Sequence, residues 1–139
     1  MRNAAATLKV RTSGGGLLEI TSEVRAWLES QTVTTGLLTL FCRHTSASLL
    51  IQENAASAVR RDLEKYFAAL APEDPGRYEH HDEGPDDMPA HLRTALTGVQ
   101  LSIPVVEGAL TLGTWQGIYL FEHRRGPHQR EVVLHFIGE

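Results

Sequence analysis

Cysteine is nearly absent from this chain of 139 residues, which bears on the compartment in which the protein works. Cys42 stands alone, so no internal disulfide can form and secretion gains no support. No apolar run approaches the ~18 residues that a membrane-spanning helix needs, and the N-terminus lacks the apolar core of a signal peptide. We therefore expect a cytoplasmic protein that has no membrane as a partner.

Several common functional motifs are also missing. The chain has no glycine-rich phosphate loop, no nucleophile elbow and no paired CxxC, which excludes the enzyme classes built on them. Its net charge of −4 argues against a protein that coats nucleic acid through general electrostatics. Seven of the seventeen acidic residues lie between positions 73 and 87. Such a stretch is usually a solvated loop, and any chemical role must be weighed against that interpretation.

The hydrophobic pattern predicts one domain, residues 1–139, that is rich in short strands. We expect strands at 4–11, 17–20, 36–43, 99–106, 109–115, 116–124 and 130–138, with a polar segment from His44 running into the apolar residues 49–51. Short connections between successive strands imply antiparallel pairing, because a parallel return needs a crossover of about a dozen residues.

Three helices are expected between these strands. The first is capped by Thr21 or Ser22 and the second by Asn54, which precedes the apolar stripe Val59, Leu63, Tyr66, Phe67 and Leu70. The third begins near Asp87, has Pro89 in its first turn and ends at Gly98. Strands and helices without strict alternation indicate an α+β fold with a mostly antiparallel sheet.

Some strands are apolar on both faces, whereas a strand with one face in water should alternate. The apolar runs are Leu37, Leu38, Leu40, Phe41 and Cys42; Ile118 to Phe121; and Val132, Val133 and Leu134. The helices can cover only one face, and subunit association is the simplest cover for the other. We predict a homo-oligomer.

Two polar clusters are candidates for chemistry. The first is His44-Thr45-Ser46-Ala47-Ser48, whose small residues and hydrogen-bond donors suit a ligand, although a polar turn that satisfies its own backbone explains it equally. The second comprises His80, His81, Asp86, Asp87 and His91. A carboxylate and histidines brought together by a loop suit zinc or manganese, and the carboxylates alone suit magnesium. The alternative is a helix cap with solvated histidines.

A third group lies where two apolar strands meet. Trp115 is expected to pack, and Gln116 to line a pocket. If buried, Glu122 would need a base, an arginine or a metal as its partner, and Arg124 lies on the same face by alternation. Arg124, Arg125 and Arg130 flank a predicted hairpin, and their guanidinium groups belong either to a solvated rim or to a phosphate site.

Three strings in order resemble the YjbQ family: HTSASLLIQENA from His44, YEHHDEGPDDMPAHL from Tyr78 and GTWQGIYLFEHR from Gly113. The resemblance covers nearly the whole chain. It implies an α+β fold, a trimer and a polar pocket near a subunit boundary. The matching motif positions are His44, Thr45, Ser46, Ser48 and Asn54; His80, Asp86, Asp87 and His91; and Thr114, Gln116 and Glu122.

Some members of this family look like secondary thiamine-phosphate synthases. The resemblance therefore implies that a hydroxymethylpyrimidine pyrophosphate is joined to a thiazole phosphate, with release of pyrophosphate. The expected metal ligands are His80, Asp86, Asp87 and His91, for magnesium or zinc, and the expected catalytic residues are His44, Asp87 and His91. Substrate contacts are expected from Thr45, Ser46, Ser48, Asn54, Thr114, Gln116, Glu122 and Arg124.

Two other functions stay open at this point. One is metal-dependent hydrolysis of a small phosphorylated compound, in which the same histidines and aspartates activate a water. The other is noncatalytic binding of a metabolite or metal. In either case the expected partner is a small phosphorylated metabolite.

Overall fold

Two antiparallel sheets pack face to face in the computed structural model, which describes residues 1–139. The strands are β1 (Arg2–Thr12), β2 (Gly16–Glu19), β3 (Gly36–Cys42), β4 (Ala47–Glu53), β5 (Gln100–Val106), β6 (Ala109–Leu110), β7 (Gln116–Glu122) and β8 (His128–Gly138). The helices are α1 (Thr21–Ser30), α2 (Ser57–Leu70) and α3 (Asp87–Thr97), with a 3-10 turn at Pro75–Arg77. The predicted α+β class, three helices and antiparallel pairing are confirmed.

The larger sheet has the order β1-β8-β3-β5-β6, and the smaller has the order β2-β7-β4. Their facing sides and α1 form one apolar core, to which β3 contributes Leu38 and Leu40, and β7 contributes Ile118 and Leu120. Residues Gly117 to Glu122 of β7 are all buried, because side chains on its second face are covered as well. None of the three helices is long and apolar enough to cross a membrane.

The third helix follows its sequence signals closely. It begins at Asp87 with Pro89 in the first turn, where a missing backbone N–H costs no hydrogen bond. It ends at Thr97, and Gly98, which follows, has a φ of 92°, a conformation that favours glycine.

Two helix starts differ from the prediction. Helix α2 begins at Ser57 rather than after Asn54, because the Asn54 side chain donates to Glu19 Oε2 instead of capping a helix. Thr21 is the first residue of α1 and makes no cap, since its hydroxyl donates to Glu19 Oε2 and accepts from the backbone N–H of Ile118. In both cases a contact with a distant strand replaces the local capping bond.

Two further elements depart from the expected pattern. The predicted strand 109–115 is reduced to Ala109–Leu110, and Trp115, which was expected to pack, is 62% exposed. No residue of the α2 stripe is fully buried, and Tyr66 and Leu70 are exposed. Phe67 provides one inward contact of this helix, edge to face against Phe121 with ring centroids 5.6 Å apart.

Candidate metal centre and the adjoining cavity

The acidic segment folds back so that two histidines meet one carboxylate at the start of α3. His80 Nε2 lies 2.9 Å and His91 Nε2 3.2 Å from Asp87 Oδ2. Glu83 Oε2 lies 3.2 Å from His80 Nε2, and one ligand atom from each of the four residues falls within 4.8 Å of the others. Asp87 and His91 are one helical turn apart, as their spacing predicted.

The backbone at Gly84 makes this fold-back possible. Its φ of +104° is a conformation that residues with a Cβ rarely adopt, and an added Cβ would lie 3.3 Å from Asp86 Oδ1. The turn therefore brings the loop carrying His80 against the helix that carries His91.

Arg124 fixes the aspartate pair from the opposite side. Its Nη1 donates to Asp87 Oδ1 at 2.8 Å, its Nε to Asp86 Oδ2 at 3.0 Å and its Nη2 to the carbonyl of Glu83 at 3.0 Å. Asp87 is thereby oriented with Oδ2 towards the two imidazoles. The guanidinium has three acceptors within the protein and holds Asp87 in position, while the substrate contact expected of Arg124 stays a prediction.

Asp86 lies outside this group, although it was expected to be a ligand. Its Oδ2 accepts from Arg124 Nε and, at 2.9 Å, from the backbone N–H of Arg125. Burial favours a raised pKa of Asp86, but the hydrogen bonds from Arg125 and Arg124 outweigh it and hold the pKa below its usual range. Glu83 takes the place in the group that the sequence had assigned to Asp86.

The electrostatics of the group favour a charged pair. The hydrogen bond to Asp87, followed by that to Glu83, raises the pKa of His80. Burial favours a raised pKa of Asp87, but its hydrogen bond to His80 and the nearby charges of His91 and Arg124 lower it. Asp87 is only 3% exposed, so these partners compensate a charge that burial alone would disfavour.

A cavity of about 790 Å³ adjoins the group and shares His91 with it. Phe41, Cys42, Ala95 and Val99 supply apolar wall, while His44 and Thr45 come from the first sequence motif. The first and second motifs therefore meet at one cavity. Burial raises the pKa of the Cys42 thiol to about 11, so this side chain is a packed apolar group and not a nucleophile.

His44 is held by the backbone of the neighbouring strand. The N–H of Glu131 donates to its Nε2 at 2.8 Å. Burial, and secondly the charge of Arg130, lower the pKa of His44. The ring is therefore neutral at pH 7.

A buried carboxylate network supports the segment that carries His44. Glu122 is 1% exposed and pairs with Arg130, whose Nε donates to Oε2 at 2.6 Å. Thr12 Oγ1 donates to the same oxygen, and the backbone N–H of Arg124 donates to Oε1 at 3.0 Å. Arg130 Nη2 also donates to the carbonyl and hydroxyl oxygens of Ser46. The expected Arg124 partner is wrong, because β7 ends at Glu122 and the chain then turns away.

Ser48 lies in a second buried network rather than on the cavity. Thr97 Oγ1 has one proton, and it donates this to the carbonyl of Arg93 at 2.8 Å. Thr97 Oγ1 also lies 2.6 Å from Ser48 Oγ, and Ser48 Oγ is hydrogen-bonded to His123 Nε2 at 2.9 Å, with the direction of that bond set by the tautomer of the ring. Burial lowers the pKa of His123 to about 3, so the ring stays neutral. The sequence offered no signal for this structural histidine.

The remaining predicted contact residues lie at the other end of the small sheet. Gln116 pairs with Glu53, next to Asn54, whereas Glu122 pairs with Ala47. Six residue steps separate the two ends of β7, which is about 20 Å along a strand. Gln116 Oε1 accepts from the Gly113 N–H, and Thr114 lies in the exposed turn between them. Within one chain these residues do not meet the group at Asp87.

Sequence comparisons find relatives over nearly the whole chain. The sequence model of the family described as UPF0047 protein YjbQ-like matches residues 6–139. A UPF0047 protein of Synechocystis sp. is 54% identical over 95% of this chain and 90% of its own length. UPF0047 protein YjbQ of Escherichia coli O157:H7 is 41% identical over 96% of both chains.

Solved structures show the same architecture. An uncharacterized conserved protein of the yjbq/upf0047 family from Clostridium acetobutylicum superposes with a TM-score of 0.87 at 34% identity, covering 95% of this chain and 99% of that one. A conserved hypothetical protein from Thermus thermophilus gives 0.81 at 40% identity, covering 92% and 97%. With the family model and these relatives in agreement, the chain belongs to the YjbQ-like (UPF0047) family.

Proposed function

We propose that the protein binds a divalent metal ion at His80, Asp87 and His91 and acts on a small phosphorylated metabolite held in the adjoining cavity. The observation that carries this proposal is the convergence of two imidazoles on one buried carboxylate oxygen, 2.9 and 3.2 Å away, at the edge of a cavity. Glu83 is available as a fourth ligand.

The donor set indicates which ion fits. Two imidazole nitrogens with one or two carboxylates suit zinc or another first-row transition metal, whereas magnesium prefers an all-oxygen shell. Arg124 donates to Asp87 Oδ1, and ligand carboxylates are commonly held in this way by a second donor. The residues fit zinc better than magnesium.

The leading reaction is the one that the family resemblance implies, the joining of a pyrimidine pyrophosphate to a thiazole phosphate. A bound divalent ion would supply charge neutralisation for the departing pyrophosphate. Arg124 is engaged by Asp86 and Asp87, so its part is to orient the carboxylate. Thr45, exposed on the cavity wall, is the hydroxyl of the first motif that remains available to substrate.

Zinc titration by calorimetry, with a matched pair of variants, tests the metal site. His80→Asn is expected to weaken zinc binding by at least tenfold, because it removes one of the two imidazoles. The control is His81→Asn, whose exposed ring is outside the group. Equal zinc affinity in both variants, or no zinc binding by the wild type, would refute the proposed centre.

Product analysis tests the reaction. The metal-loaded protein, supplied with both substrates, is expected to yield the coupled pyrimidine–thiazole product and pyrophosphate. Hydrolysis is the second candidate, because two imidazoles and a carboxylate are also a set that activates water. Free phosphate from a single substrate would select it. A loaded protein that binds a phosphorylated ligand without turnover would instead indicate a noncatalytic binding protein.

We also propose that three copies associate through the outer face of the large sheet, and that the protein works in the cytoplasm. Leu37 and Ile137 are opposite one another on neighbouring strands, and each is about two-fifths exposed, at 38% and 41%. Phe41 extends the same face and is 47% exposed. An apolar sheet face of this kind favours a protein partner. A light-scattering mass equal to one chain would refute association.

A further inference from the structure

A second, smaller cavity lies across helix α3 from the cavity beside His91. Its volume is about 180 Å³, and it is lined by residues of α2, α3, the end of β7 and the glycine turn that leads into β2. Arg93 is its residue from α3 and follows His91 by two positions, which directs the two side chains to opposite sides of the helix. No residue of this cavity lines the larger one or belongs to the candidate metal centre.

Arg93 brings to this cavity a positive charge that has no counter-ion in the protein. Its Nη2 donates to the carbonyl of Ala71 at 2.7 Å, while its Nε is buried and has no hydrogen-bond partner. Burial lowers the pKa of Arg93. The three other arginines of this region each pair with a carboxylate, namely Arg124 with Asp86, Arg125 with Glu73 and Arg130 with Glu122. Because a buried charge is costly unless it is paired, the wall at Arg93 favours a negatively charged ligand.

His123 provides a second buried polar atom on the same cavity. The residue is 3% exposed, its Nε2 is hydrogen-bonded to Ser48 Oγ at 2.9 Å, and its Nδ1 has no partner. Arg93 is near enough that its charge is the second cause, after burial, of the lowered pKa of His123. The Nε–H of Arg93 can only donate, and Nδ1 of His123 donates when Ser48 donates to Nε2. Both atoms can therefore donate to one ligand that carries two acceptors.

The other charges on the wall limit this ligand to one negative charge. Glu73 and Glu122 are neutralised by their arginines, whereas Glu64 accepts from the backbone N–H of Leu17 at 2.8 Å and has no arginine partner. A phosphate dianion would be repelled by Glu64, while a single negative charge balances Arg93. A water molecule would satisfy the hydrogen bonds but not the charge.

Size and apolar lining restrict the ligand further. The volume is well below the roughly 300–1,000 Å³ of pockets that hold drug-sized ligands, so a molecule of only a few non-hydrogen atoms fits. The rings of Phe67 and Phe121, edge to face with centroids 5.6 Å apart, form the apolar part of the wall. A carboxylate with a short apolar end matches both features.

We propose that this cavity is a binding site for a small monocarboxylate, such as formate or acetate, whose oxygens accept from Arg93 Nε and His123 Nδ1. The site goes beyond the proposed function, because none of its residues contributes to the metal centre or to the substrate cavity. With the carboxylate bound, His123 is neutral and protonated at Nδ1, and Ser48 donates to Nε2.

The test is an NMR titration of the whole chain, treated with a chelator and labelled with ¹⁵N in its arginine and histidine side chains. Sodium formate is added at pH 7.5, and sodium chloride keeps the ionic strength constant. The Arg93 Nε and His123 ring signals are expected to shift together and to saturate with a dissociation constant of about 1 mM, near the limit for so small a ligand. At saturation, His123 should be protonated at Nδ1.

Two variants that remove the same charge separate the site from the general charge of the protein. Arg93→Gln is expected to weaken formate binding, followed at His123, by about tenfold or more, because it removes the charge that the carboxylate balances. Arg77→Gln is the control, since Arg77 is exposed in the 3-10 turn, and it should bind formate as the wild type does. Inorganic phosphate should bind the wild type about tenfold more weakly than formate.

The absence of a saturable Arg93 Nε shift in the wild type would show that water alone fills the cavity and would overturn the proposal. Equal formate affinity in the wild type and Arg93→Gln would overturn it as well, and phosphate that binds as tightly as formate would refute the choice of a monocarboxylate. The wild-type titration needs no variant, so it decides the matter even if Arg93→Gln does not fold. Because the chelator removes metal, the result is independent of the zinc titration.

Discussion

Replacing Glu122 by glutamine should destabilise the protein severely, although the two side chains have nearly the same size. The carboxylate accepts from Arg130 at two nitrogens, from Thr12 Oγ1 and from the Arg124 backbone N–H. The amide offers one oxygen instead of two and carries no charge. Arg130, only 4% exposed, is then left without a counter-ion.

The structure sets the size of this effect. Breaking a buried ion pair by removing one partner costs about 3–5 kcal/mol, since the other charge stays desolvated. A domain of this kind has a total free energy of unfolding of roughly 5–15 kcal/mol. Glu122→Gln should therefore remove a large fraction of it. With a urea m-value near 2 kcal/mol per molar, the midpoint should fall by about 2 M.

Urea unfolding at pH 7.5, followed by tryptophan fluorescence, is the assay. Arg130→Met should be similarly destabilising, whereas Glu122→Leu with Arg130→Met should recover most of the loss, because no charge is left unpaired. A loss below about 1 kcal/mol in Glu122→Gln would refute the reasoning. So would a double variant no more stable than Arg130→Met alone.

Three further predictions test other parts of the structure. The pKa of His123 is about 3 in the folded protein and 6.5 in the unfolded chain, so the unfolded state takes up the proton first and the free energy of unfolding falls as the pH drops below 6.5. Between pH 7 and 5.5 this loss is about 1 kcal/mol. Urea unfolding at the two pH values should show the loss in the wild type and not in His123→Gln. Arg124→Gln should weaken zinc binding by about 10- to 100-fold in calorimetry through loss of the bond that orients the aspartate; Arg125→Gln, whose guanidinium pairs with Glu73, should leave it unchanged. Leu37→Glu should reduce the light-scattering mass to that of one chain.

Local sequence signals located α3 and half of the candidate metal-binding group. Asp87, Pro89 and Gly98 define the helix through the preference for an acidic residue and proline in the first turn and through the positive φ of glycine at the end. The four-residue spacing of Asp87 and His91 follows from the same helix. These features depend on residues a few positions apart, so they can be read without knowing the rest of the fold.

Which of several nearby arginines pairs with a given carboxylate depended on the tertiary structure. Glu122 has Arg124, Arg125 and Arg130 nearby in sequence, and alternation favoured Arg124 only on the assumption that β7 continued past Glu122. Because the strand ends there, the Arg124 side chain reaches the acidic segment and Arg130 arrives from β8 instead. Because Arg124 then pairs with Asp86, Asp86 lies outside the candidate metal-binding group, whereas Glu83 lies within it.

By itself, then, the sequence determined the fold class, the antiparallel pairing and the residues that short-range helix geometry brings together. Only the tertiary structure decided that the loop carrying His80 meets helix α3. It also decided that Ser48 is buried and that Gln116 lies at the opposite end of the small sheet from Glu122. The physical reason is that strand register and chain reversals bring together atoms from distant segments. Hydrogen bonds and charges then select their partners among the side chains that arrive.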